Sequence, residues 1–518
     1  AFLLHGVTGS GKTEVYIAAL KQVRAQGRTG IVLVPEIALT PQTVRRFRAH
    51  FGDEVAVLHS RMSDGERYDT WRQLRAGRYP IVIGPRSAVL APLSNLGLLV
   101  VDEEHERSYK QFDPAPRYHA RDVAVYRARH NQAVCILGSA TPSLESYANA
   151  RSGKYTLLEM RRRAPTVGQQ PARLPTIRII DLRHTRLQEG SPLSPPLARA
   201  IAERLERGEQ VILLQNRRGF APVLECTHCG WAPHCPHCSV TLTYHKVHHQ
   251  LRCHYCGYAT GQPTLLPLGA GTQRVEEALT MHFPEARILR MDLDTTRAKR
   301  AHHRLLDRFG RGEADILIGT QMVAKGLDFA RVTLVGVVNA DVGLLLPDFR
   351  AEEHTFQLLM QVAGRAGRAD RPGEVLLQTR NPNHRIFRYL LRHDFAGLAR
   401  ELLAERRQLG YPPYARLAIT ECSGPDEARV QEQLQTWTAQ FRTLLAQTPG
   451  NHCVEVLGPG PALHERLQGR YRYQTLIKVA RQPEAPALQP LLRQALEATG
   501  PLPQGYRLTL DIDPAGLV

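Results

Sequence analysis

The segment GVTGSGKT near the start of the chain has the residue types and spacing of a phosphate-binding loop. Its glycines, Gly6, Gly9 and Gly11, let backbone N–H groups close on phosphate oxygens. An apolar stretch precedes the loop and a helical pattern follows it, so the positive end of a helix dipole would face the phosphates. Lys12 would reach the β- and γ-phosphates, and Thr13 would bind Mg²⁺. The segment predicts a site for ATP and Mg²⁺, in preference to a glycine-rich turn without a ligand.

A group of acidic residues follows another apolar run. Residues 98–101 lead directly into Asp102, Glu103, Glu104 and His105. In a parallel sheet, ligands bind outside the carboxyl ends of the strands. We therefore expect Asp102 to hold Mg²⁺ and Glu103 to orient and activate the water that attacks the γ-phosphate.

The apolar run at residues 134–137 is followed by GSATP, residues 138–142. The hydroxyl groups of this segment could bond the acidic pair and respond to the state of the nucleotide. A plain serine or threonine cap on a helix before Pro142 is an equal alternative.

Three residues in the second half of the chain could complete the site. Gln361, Arg365 and Arg368 are spaced at i, i+4 and i+7 and would share one face of a helix. Two guanidinium groups there could approach the γ-phosphate and stabilise charge in the transition state. The alternative is a solvated arginine face.

The segment GTQMVAKGLDF, residues 319–329, also follows a predicted strand. Thr320 could contact a nucleic-acid backbone. Gly326 and Asp328 would contact the nucleotide.

Six of the nine cysteines form three C-x-x-C pairs between positions 226 and 256. In a long chain without a secretory signal, such pairs indicate metal binding rather than disulfides, and a reducing cytoplasm. Two pairs make one tetrahedral Zn²⁺ site. The third pair would either borrow nearby histidines as ligands or remain without metal. The candidate zinc ligands are Cys226, Cys229, Cys235, Cys238, Cys253 and Cys256.

The composition favours a polyanionic partner. The chain has 518 residues and a formal net charge of +18. Lys and Arg on such a surface gain affinity for nucleic acid by releasing counterions from phosphates, although charge alone does not separate DNA, RNA and acidic membrane. No uncharged apolar segment is long enough to predict a transmembrane helix. The length suits three or four domains.

Apolar runs alternate with helical patterns in two successive series, which predicts two parallel sheets covered by helices. In the second series, the cysteine pairs are inserted after the first strand. After about residue 394, the order strand, helix, strand, strand, helix, strand predicts a ferredoxin-like α+β domain. Strands are predicted at residues 2–5, 30–34, 81–84, 96–101 and 134–137, and then at 210–215, 287–291, 315–319, 332–338 and 374–378.

Taken in order, these motifs resemble those of superfamily-2 helicases of the DEAH-like branch. The resemblance implies ATP hydrolysis coupled to movement between two RecA-like lobes. The expected fold class is α/β, with two RecA-like parallel-sheet lobes, a cysteine-rich zinc insertion in the second lobe and a C-terminal α+β domain that binds DNA or partners. The expected boundaries are 1–185 for lobe 1, 186–222 and 263–394 for lobe 2, 223–262 for the insertion and 395–518 for the C-terminal domain.

The insertion makes the chain similar to the PriA family in particular. Segments 216–222, 269–276, 340–350 and 458–472 agree with that family. Residues 108–122 look like its aromatic-rich loop, which links DNA contact to ATP hydrolysis, although taken alone the loop favours ordinary packing. Aromatic side chains that stack on bases bind single strands with little sequence preference.

The resemblance also implies a function and partners. The expected activity is that of an ATP-dependent 3′→5′ DNA helicase or translocase that acts at stalled or repaired forks to restart replication. The expected partners are forked and single-stranded DNA, primosome proteins and single-stranded-DNA-binding protein. We expect a monomer in the bacterial cytoplasm, with no membrane partner.

Two departures from the family pattern change what is expected. Family members carry four cysteine pairs and two zinc ions, whereas the fourth pair is missing here. The inner pairs share one metal in the family, so we expect one zinc on the four cysteines from Cys235 to Cys256, whereas Cys226 and Cys229 lose their partners. The family's N-terminal DNA-binding domains and its adenine-contacting glutamine are also missing. We therefore expect the chain to be either a piece of a longer protein or a version that has lost these functions.

Two other functions remain open on the sequence. A PriA-like scaffold that holds DNA and primosome proteins without productive ATP hydrolysis would fit the two departures. The intact phosphate loop, Glu103, Arg365 and Arg368 favour the enzyme. The cysteine insertion disfavours an RNA-remodelling ATPase of the same superfamily.

Overall fold

The chain forms two compact units. One comprises Ala1–Arg218, Ala270–Ala340 and Thr355–Gly397, and the other comprises Gly219–Gly269, Asp341–His354 and Leu398–Val518. The computed structural model describes the whole chain except residues 37, 38, 40, 61, 165–173, 186, 188–190, 216–223, 226–231, 237–240, 246–249, 254–257, 262–265, 268–271, 292–300, 325–328, 368–372, 468 and 518.

The first lobe of the first unit is a parallel sheet with helices on both faces. Its helices are α1 (Lys12–Ala25), α2 (Pro41–Phe51), α3 (Asp64–Arg75), α4 (Ala120–His130) and α5 (Leu144–Arg151). Its strands are β1 (Phe2–Gly6), β2 (Thr29–Leu33), β3 (Val55–Val57), β4 (Ile81–Gly84), β5 (Leu96–Asp102), β6 (Val134–Ser139) and β7 (Thr156–Met160). The strand order is β3-β4-β2-β5-β6-β1-β7.

The central strands of this sheet are buried on both faces. Every residue of β4 and all but the last residue of β5 are buried, as continuous apolar runs predict for a parallel sheet between helices. Separate apolar clusters cover the two faces. The five strands predicted from the sequence are confirmed. The edge strands β3 and β7 were not predicted, because β3 has three residues and β7 is largely exposed.

The second lobe is interrupted by the cysteine-rich segment. It begins with β8 (Thr176–Asp181), α6 (Pro195–Glu206) and β9 (Gln210–Leu214). The inserted strands are β10 (Leu224–Glu225), β11 (Thr243–His245), β12 (Gln250–Arg252), β13 (Ala259–Thr260) and β14 (Leu266–Pro267). The lobe resumes with α7 (Thr272–His282), β15 (Ile288–Met291), α8 (Ala301–Arg311), β16 (Ile316–Gly319), β17 (Val332–Val337), α9 (Ala351–Ala363), β18 (Glu374–Thr379) and α10 (Arg385–Leu391).

The sheet of the second lobe is also parallel, in the order β15-β16-β9-β17-β18-β8. The five predicted strands are confirmed. Strand β8 was not predicted, and it pairs with β18 from Thr176 to Asp181. The boundary that we placed at residue 185 therefore falls after the first strand of this sheet. The inserted strands form two small antiparallel sheets, one from β10 and β14 and the other from β11, β12 and β13.

The last part of the chain folds into a four-stranded antiparallel sheet. After α11 (Phe395–Gln408) come β19 (Ala415–Gly424), α12 (Glu427–Ala446), β20 (Val454–Leu467), β21 (Arg470–Ala480), α13 (Leu488–Thr499) and β22 (Arg507–Ile512). The order β20-β21-β19-β22 is that of a ferredoxin-like sheet, which confirms the prediction. Among the helices described, none is both long and apolar enough to cross a membrane.

Both faces of this sheet carry apolar side chains. Helices α12 and α13 cover one face, where Trp437 and Phe441 stack with their ring centroids 5.4 Å apart. On the other face, Leu417 and Leu476 belong to the same buried cluster as Cys235 and Cys253 of the cysteine-rich segment. The inserted segment therefore packs with the C-terminal sheet within the second unit.

Candidate nucleotide-binding and hydrolysis site

The loop between β1 and α1 has the backbone that phosphate binding requires. Gly9 and Gly11 have φ values of 80° and 90°, in the left-handed region that glycine adopts without steric cost. Helix α1 begins at Lys12, and the ammonium group of Lys12 donates to the carbonyl oxygen of Gly6 at 2.8 Å. The predicted phosphate-site residues, including Thr13 in the first turn of α1, therefore lie together on one loop and one helix N-terminus.

Asp102 ends β5, and its carboxylate is held by α1. The hydroxyl group of the buried Tyr16 donates to Oδ1 of Asp102 at 2.9 Å. Burial, and next the carboxylate of Glu103, raise the pKa of Asp102 from 3.8 to about 6, whereas the ammonium group of Lys12 opposes this rise. The phosphate loop and the acidic strand end thus form one electrostatic site. A carboxylate beside a phosphate-binding lysine suits a magnesium ion, which proteins bind through one or two carboxylates and substrate phosphates.

Glu103 has an unusual backbone conformation, and one oxygen of its carboxylate accepts no hydrogen bond from the described residues. Its φ is 49°, in the left-handed region that residues other than glycine adopt at a cost. Its Oε2 atom is buried and accepts no hydrogen bond from the described residues, and Nδ1 of His105 lies 3.7 Å away. Such an oxygen can accept a hydrogen bond from a water molecule, as the predicted role requires.

Glu104 has the opposite environment. Its side chain is completely buried, and its two carboxylate oxygens accept hydrogen bonds from Ser143, Ser146 and Arg121. Glu104 therefore has its acceptor capacity used within the protein, and only Asp102 and Glu103 of the three acidic residues are available to a ligand.

The segment 138–142 is hydrogen-bonded to His105, which follows the acidic residues at the end of β5. Oγ of Ser139 lies 2.7 Å from Nδ1 of His105 and also accepts from the backbone N–H of Thr141 at 2.9 Å. The prediction that these hydroxyl groups bond the acidic pair is wrong for Ser139, because His105 lies between. The helix that follows is capped by Ser143, one residue after Pro142.

The second lobe contacts this histidine directly. The side-chain amide of Gln361 donates to Nε2 of His105 at 2.8 Å, so the imidazole carries its proton on Nδ1 and donates to Ser139. One turn earlier on α9, the amide of Gln357 donates to the carbonyl oxygens of Thr141 and Pro142 at 3.2 and 3.3 Å. The two contacts thus join α9 of the second lobe to His105 and to the segment 138–142 of the first lobe.

The turn after α9 lies against the phosphate loop. A Cβ atom on Gly364 would come within 2.7 Å of Cγ2 of Thr8, so only glycine allows this approach. The guanidinium group of Arg163 donates to the carbonyl oxygen of Gly367 at 2.7 Å. Arg365 is therefore carried on a turn that touches the loop bearing Lys12.

One geometric prediction about this segment is wrong. Helix α9 ends at Ala363, so Gln361 and Arg365 do not share a continuous helix face. The turn closes through i→i+3 hydrogen bonds from the N–H groups of Arg365 and Ala366, at 3.0 and 3.1 Å, and Gly367 follows with φ 67°. Glycine in that conformation ends helices. Arg368 lies outside the described residues.

The other second-lobe candidates are described only in part. Thr320 follows β16 and is buried, at the start of a 3-10 turn from Gln321 to Ala324. Gly326 and Asp328 lie outside the described residues.

The aromatic segment between Glu106 and α4 combines buried and exposed residues. Tyr109 is buried, and its hydroxyl group donates to the backbone carbonyl oxygen of Asp102 at 2.7 Å. The ammonium group of the buried Lys110 donates to the carbonyl oxygen of Arg117 at 3.0 Å. Phe112, which follows this buried pair along the loop, is 46% exposed. The base of the loop is thus ordinary packing, whereas Phe112 leaves part of an aromatic ring exposed to solvent.

Two of the candidate zinc ligands are described. Cys235 and Cys253 are both buried, and they belong to one apolar cluster. Two buried thiols in one cluster fit a shared thiolate site. Cys226, Cys229, Cys238 and Cys256 lie outside the described residues.

Sequence reasoning assigned no role to several residues that shape the site. Tyr16 holds Asp102, Gln357 joins the lobes, and Glu104 is the best satisfied of the three acidic residues. Gln357 lies four residues before Gln361, and this helical spacing could have indicated a shared face. Tyr16 gave no such signal, because its partner is 86 residues away along the chain.

Four family models match successive parts of the chain. They are the DEAD/DEAH box helicase at residues 1–150, the PriA DNA helicase Cys-rich region domain at 235–260, the Helicase conserved C-terminal domain at 267–370 and the Primosomal protein N C-terminal domain at 407–515. The match at 235–260 includes the four cysteines from Cys235 to Cys256.

Curated relatives match nearly the whole chain. The replication restart protein PriA of Bacillus subtilis is 46% identical over 507 residues, covering 96% of this chain and 61% of its own length. The protein of the same name from Haemophilus influenzae is 43% identical, covering 100% and 70%, and that of Rickettsia conorii is 38% identical, covering 99% and 78%. The chain spans about three fifths of the length of the Bacillus subtilis protein and of two further curated relatives. By sequence identity, by the order of its family matches and by its two parallel-sheet lobes, the chain belongs to the PriA family of replication restart proteins.

Proposed function

We propose that the chain is the motor of an ATP-dependent 3′→5′ DNA helicase or translocase of the PriA type, which restarts replication at stalled or repaired forks. One observation carries the motor assignment. Gly364 packs against Thr8, and Gln361 bonds His105, so the second lobe meets the first at the phosphate loop and at the acidic strand end. Two lobes that meet around one nucleotide can convert its hydrolysis into relative movement.

In this proposal, each lobe supplies part of the catalytic set. Lys12 holds the β- and γ-phosphates, Thr13 and Asp102 hold Mg²⁺, and Glu103 orients the water. From the second lobe, Gln361 senses the nucleotide through His105 and the arginines stabilise transition-state charge. The further second-lobe groups in the proposed site are Arg365, Arg368, Gly326 and Asp328.

The proposed nucleic-acid partner is DNA, single-stranded or forked. The net charge of +18 favours a polyanion, and the exposed face of Phe112 can stack on a base. The relatives are named for replication restart, which supports forks as the site of action, and one matching family model is named for a primosomal protein. Primosome proteins and single-stranded-DNA-binding protein are the proposed protein partners. We place the chain in the cytoplasm, as a monomer, with the domain boundaries that the sequence predicts, except that lobe 2 begins before Thr176.

A DNA-dependent ATPase assay tests the motor assignment. We expect phosphate release to rise when single-stranded DNA is added, and to be lost in Lys12→Ala and Glu103→Gln. Equal release from all three proteins would contradict the enzyme and favour a DNA-binding scaffold. Polarity is tested separately on partial duplexes with one 3′ or one 5′ tail, and unwinding from the 5′ tail alone would contradict the 3′→5′ direction.

The cysteine-rich segment is proposed to hold one zinc ion through Cys235, Cys238, Cys253 and Cys256. The ion would cross-link strands that are too short to build a core of their own. We expect about one zinc per chain by elemental analysis, since two C-x-x-C pairs fill one tetrahedral site. The double variant Cys253→Ser and Cys256→Ser should lose the metal, whereas Cys226→Ser with Cys229→Ser should keep it. Two zinc ions per wild-type chain would mean that histidines complete a second site.

A further inference from the structure

Glu103 lies between two residues, Asp102 and Glu104, whose positions are fixed by hydrogen bonds. Its left-handed backbone, with φ 49°, costs free energy in a residue that has a side chain. Its carboxylate gains no compensating hydrogen bond at Oε2 from the described residues. The conformation therefore depends on how firmly its neighbours, Asp102 and Glu104, are fixed.

On one side, Asp102 is fixed at two points. Tyr16 donates to its carboxylate at 2.9 Å, and Tyr109 donates to its backbone carbonyl oxygen at 2.7 Å. Both tyrosines are buried. This side of the turn is anchored by α1 and by the aromatic segment.

On the other side, Glu104 is fixed by four donors. Its Oε1 accepts from the backbone N–H of Ser143 at 2.7 Å. Its Oε2 accepts from the hydroxyl groups of Ser146 and Ser143 at 2.8 and 3.0 Å, and from the guanidinium group of Arg121 at 3.3 Å. Its own backbone N–H donates to Gly138 at 3.0 Å. One buried carboxylate thus joins the first turns of α4 and α5 to the acidic strand end.

We propose that Glu104 is a positioning residue for ATP hydrolysis: its buried carboxylate fixes the turn that aims Glu103 at the attacking water. The inference rests on the proposed function, and it assigns to Glu104 a role distinct from those of Asp102 and Glu103. Glu104 touches neither nucleotide nor metal, because its oxygens are already used. Its effect reaches the reaction only through the orientation of Glu103.

This role separates turnover from nucleotide binding. The phosphates are held by the loop with Lys12, which has no hydrogen bond to Glu104 among those described. A substitution that removes hydrogen bonds of Glu104 should therefore lower kcat and leave the affinity for ATP unchanged. A purely structural role would lower thermal stability and would reduce binding and turnover together.

The test compares Glu104→Gln with Glu104→Ala. Glutamine keeps an acceptor for the N–H of Ser143 but loses the charge that faces Arg121, so we expect kcat to fall about tenfold, as for one charge-assisted hydrogen bond. Alanine removes every acceptor, and we expect a fall of about a hundredfold. In both variants, the dissociation constant of a fluorescent ATP analogue should stay within about twofold, below the effect of one weak hydrogen bond.

The matched control is Glu353→Gln, which removes a carboxylate from another buried ion pair. Glu353 accepts from Arg406 at 2.6 Å, both side chains are 4% exposed, and neither belongs to the proposed site. We expect Glu353→Gln to lower the melting temperature but to keep kcat. A kcat for Glu104→Gln within twofold of the wild-type value would overturn the inference, as would equal losses of kcat in the two glutamine variants.

A second measurement keeps the inference distinct from the proposed function. A wild-type chain that does not hydrolyse ATP contradicts the proposed function. Amide hydrogen exchange then decides whether Glu104 fixes the turn. We expect the peptide spanning residues 102–109 to exchange faster in Glu104→Gln than in the wild type, and to be unchanged in Glu353→Gln. Unchanged exchange in Glu104→Gln would overturn the inference.

Discussion

Six strands have the same order in the two parallel sheets. The segments that follow the first strand along the chain differ between the two lobes. In the first lobe the order is β3-β4-β2-β5-β6-β1, before the edge strand β7, and in the second it is β15-β16-β9-β17-β18-β8. Taken position by position, β8 is the counterpart of β1. After β1 comes a glycine loop that leaves Lys12 over the phosphate position. After β8, Arg183 turns back and donates to the carboxylate of Asp181 at 2.7–3.2 Å.

Strand topology and the chemistry of the strand ends are therefore separable in this chain. Both lobes bring strand ends to one edge, where ligands bind in such sheets. Among the described residues that follow these two strands, those after β1 form a loop with φ values of 80° and 90° that can wrap phosphate, whereas Arg183 after β8 pairs with Asp181 at the end of that strand. The second lobe contributes instead through α9 and the turn that follows it. In the proposed function, two lobes of similar topology therefore contribute different groups to one nucleotide site.

The largest effect should come from removing the lysine that distinguishes the two first-strand loops. Lys12→Ala should lower DNA-stimulated phosphate release by about 10³-fold or more, because the γ-phosphate loses its cation in the transition state. Arg183→Ala, in the matching turn of the second lobe, should leave the rate within about twofold, as expected for a surface ion pair. Comparable losses in the two variants would contradict the different roles of these loops.

A smaller loss should follow removal of the second lobe's cation. We expect Arg365→Ala to lower kcat by roughly 10²-fold, with ATP binding largely kept, since such arginines act on transition-state charge and Arg368 remains. Arg178→Ala is the control, because Arg178 is exposed and pairs with Glu374 at 3.2 Å on the second-lobe sheet. A weaker ATP affinity with unchanged kcat would assign Arg365 to ground-state binding instead.

Next in size is a packing difference between the two sheets. A Cβ atom on Gly138 would lie 1.7 Å from the hydroxyl oxygen of Tyr16, which is buried and bonded to Asp102. On Gly336 of the second sheet, it would lie 2.5 Å from a terminal methyl of Leu213, which can change rotamer. We expect Gly138→Ala to lower the free energy of unfolding by about 2–3 kcal/mol and Gly336→Ala by about 1 kcal/mol. Chemical denaturation of both variants measures this, and the reverse order would contradict the packing account.

The smallest expected effect is electrostatic. Replacing one aspartate by asparagine should change the free energy of unfolding in opposite directions in the two lobes. The folded state holds the proton of Asp102 up to about pH 6, whereas the unfolded state releases it near 3.8, so stability falls as pH rises through that window. Asp102→Asn should therefore stabilise the nucleotide-free protein at pH 7 by on the order of 1–2 kcal/mol. In the second lobe, the hydrogen bond from Arg287 lowers the pKa of Asp315, so Asp315→Asn should destabilise slightly. Melting curves at pH 5 and pH 7 check both signs.

Much of the fold could be predicted because its signals are local. Continuous apolar runs mark β4 and β5, and glycine spacing marks the loop with Lys12. Strand β8 was missed because Thr176 and Arg178 interrupt its apolar residues, and its place beside β18 depends on a partner far along the chain.

The sequence predicted which residues form the site better than it predicted the contacts between them. The roles expected for Asp102 and Glu103 depend on where the strand ends, which the sequence shows. The partners of Tyr16 and Glu104 depend on tertiary packing, and α9 ends in a turn that closes at Gly367. Helical spacing alone predicted that Arg365 shares a helix face with Gln361, whereas the helix ends before Arg365.

A crystal structure of the chain with Mg²⁺ and a non-hydrolysable ATP analogue tests the central claim most directly. The account predicts one nucleotide between the lobes, with Nζ of Lys12 and the guanidinium group of Arg365 both within about 3 Å of γ-phosphate oxygens, a normal hydrogen-bond distance. A nucleotide held by Lys12 while Arg365 points away from the triphosphate would contradict it.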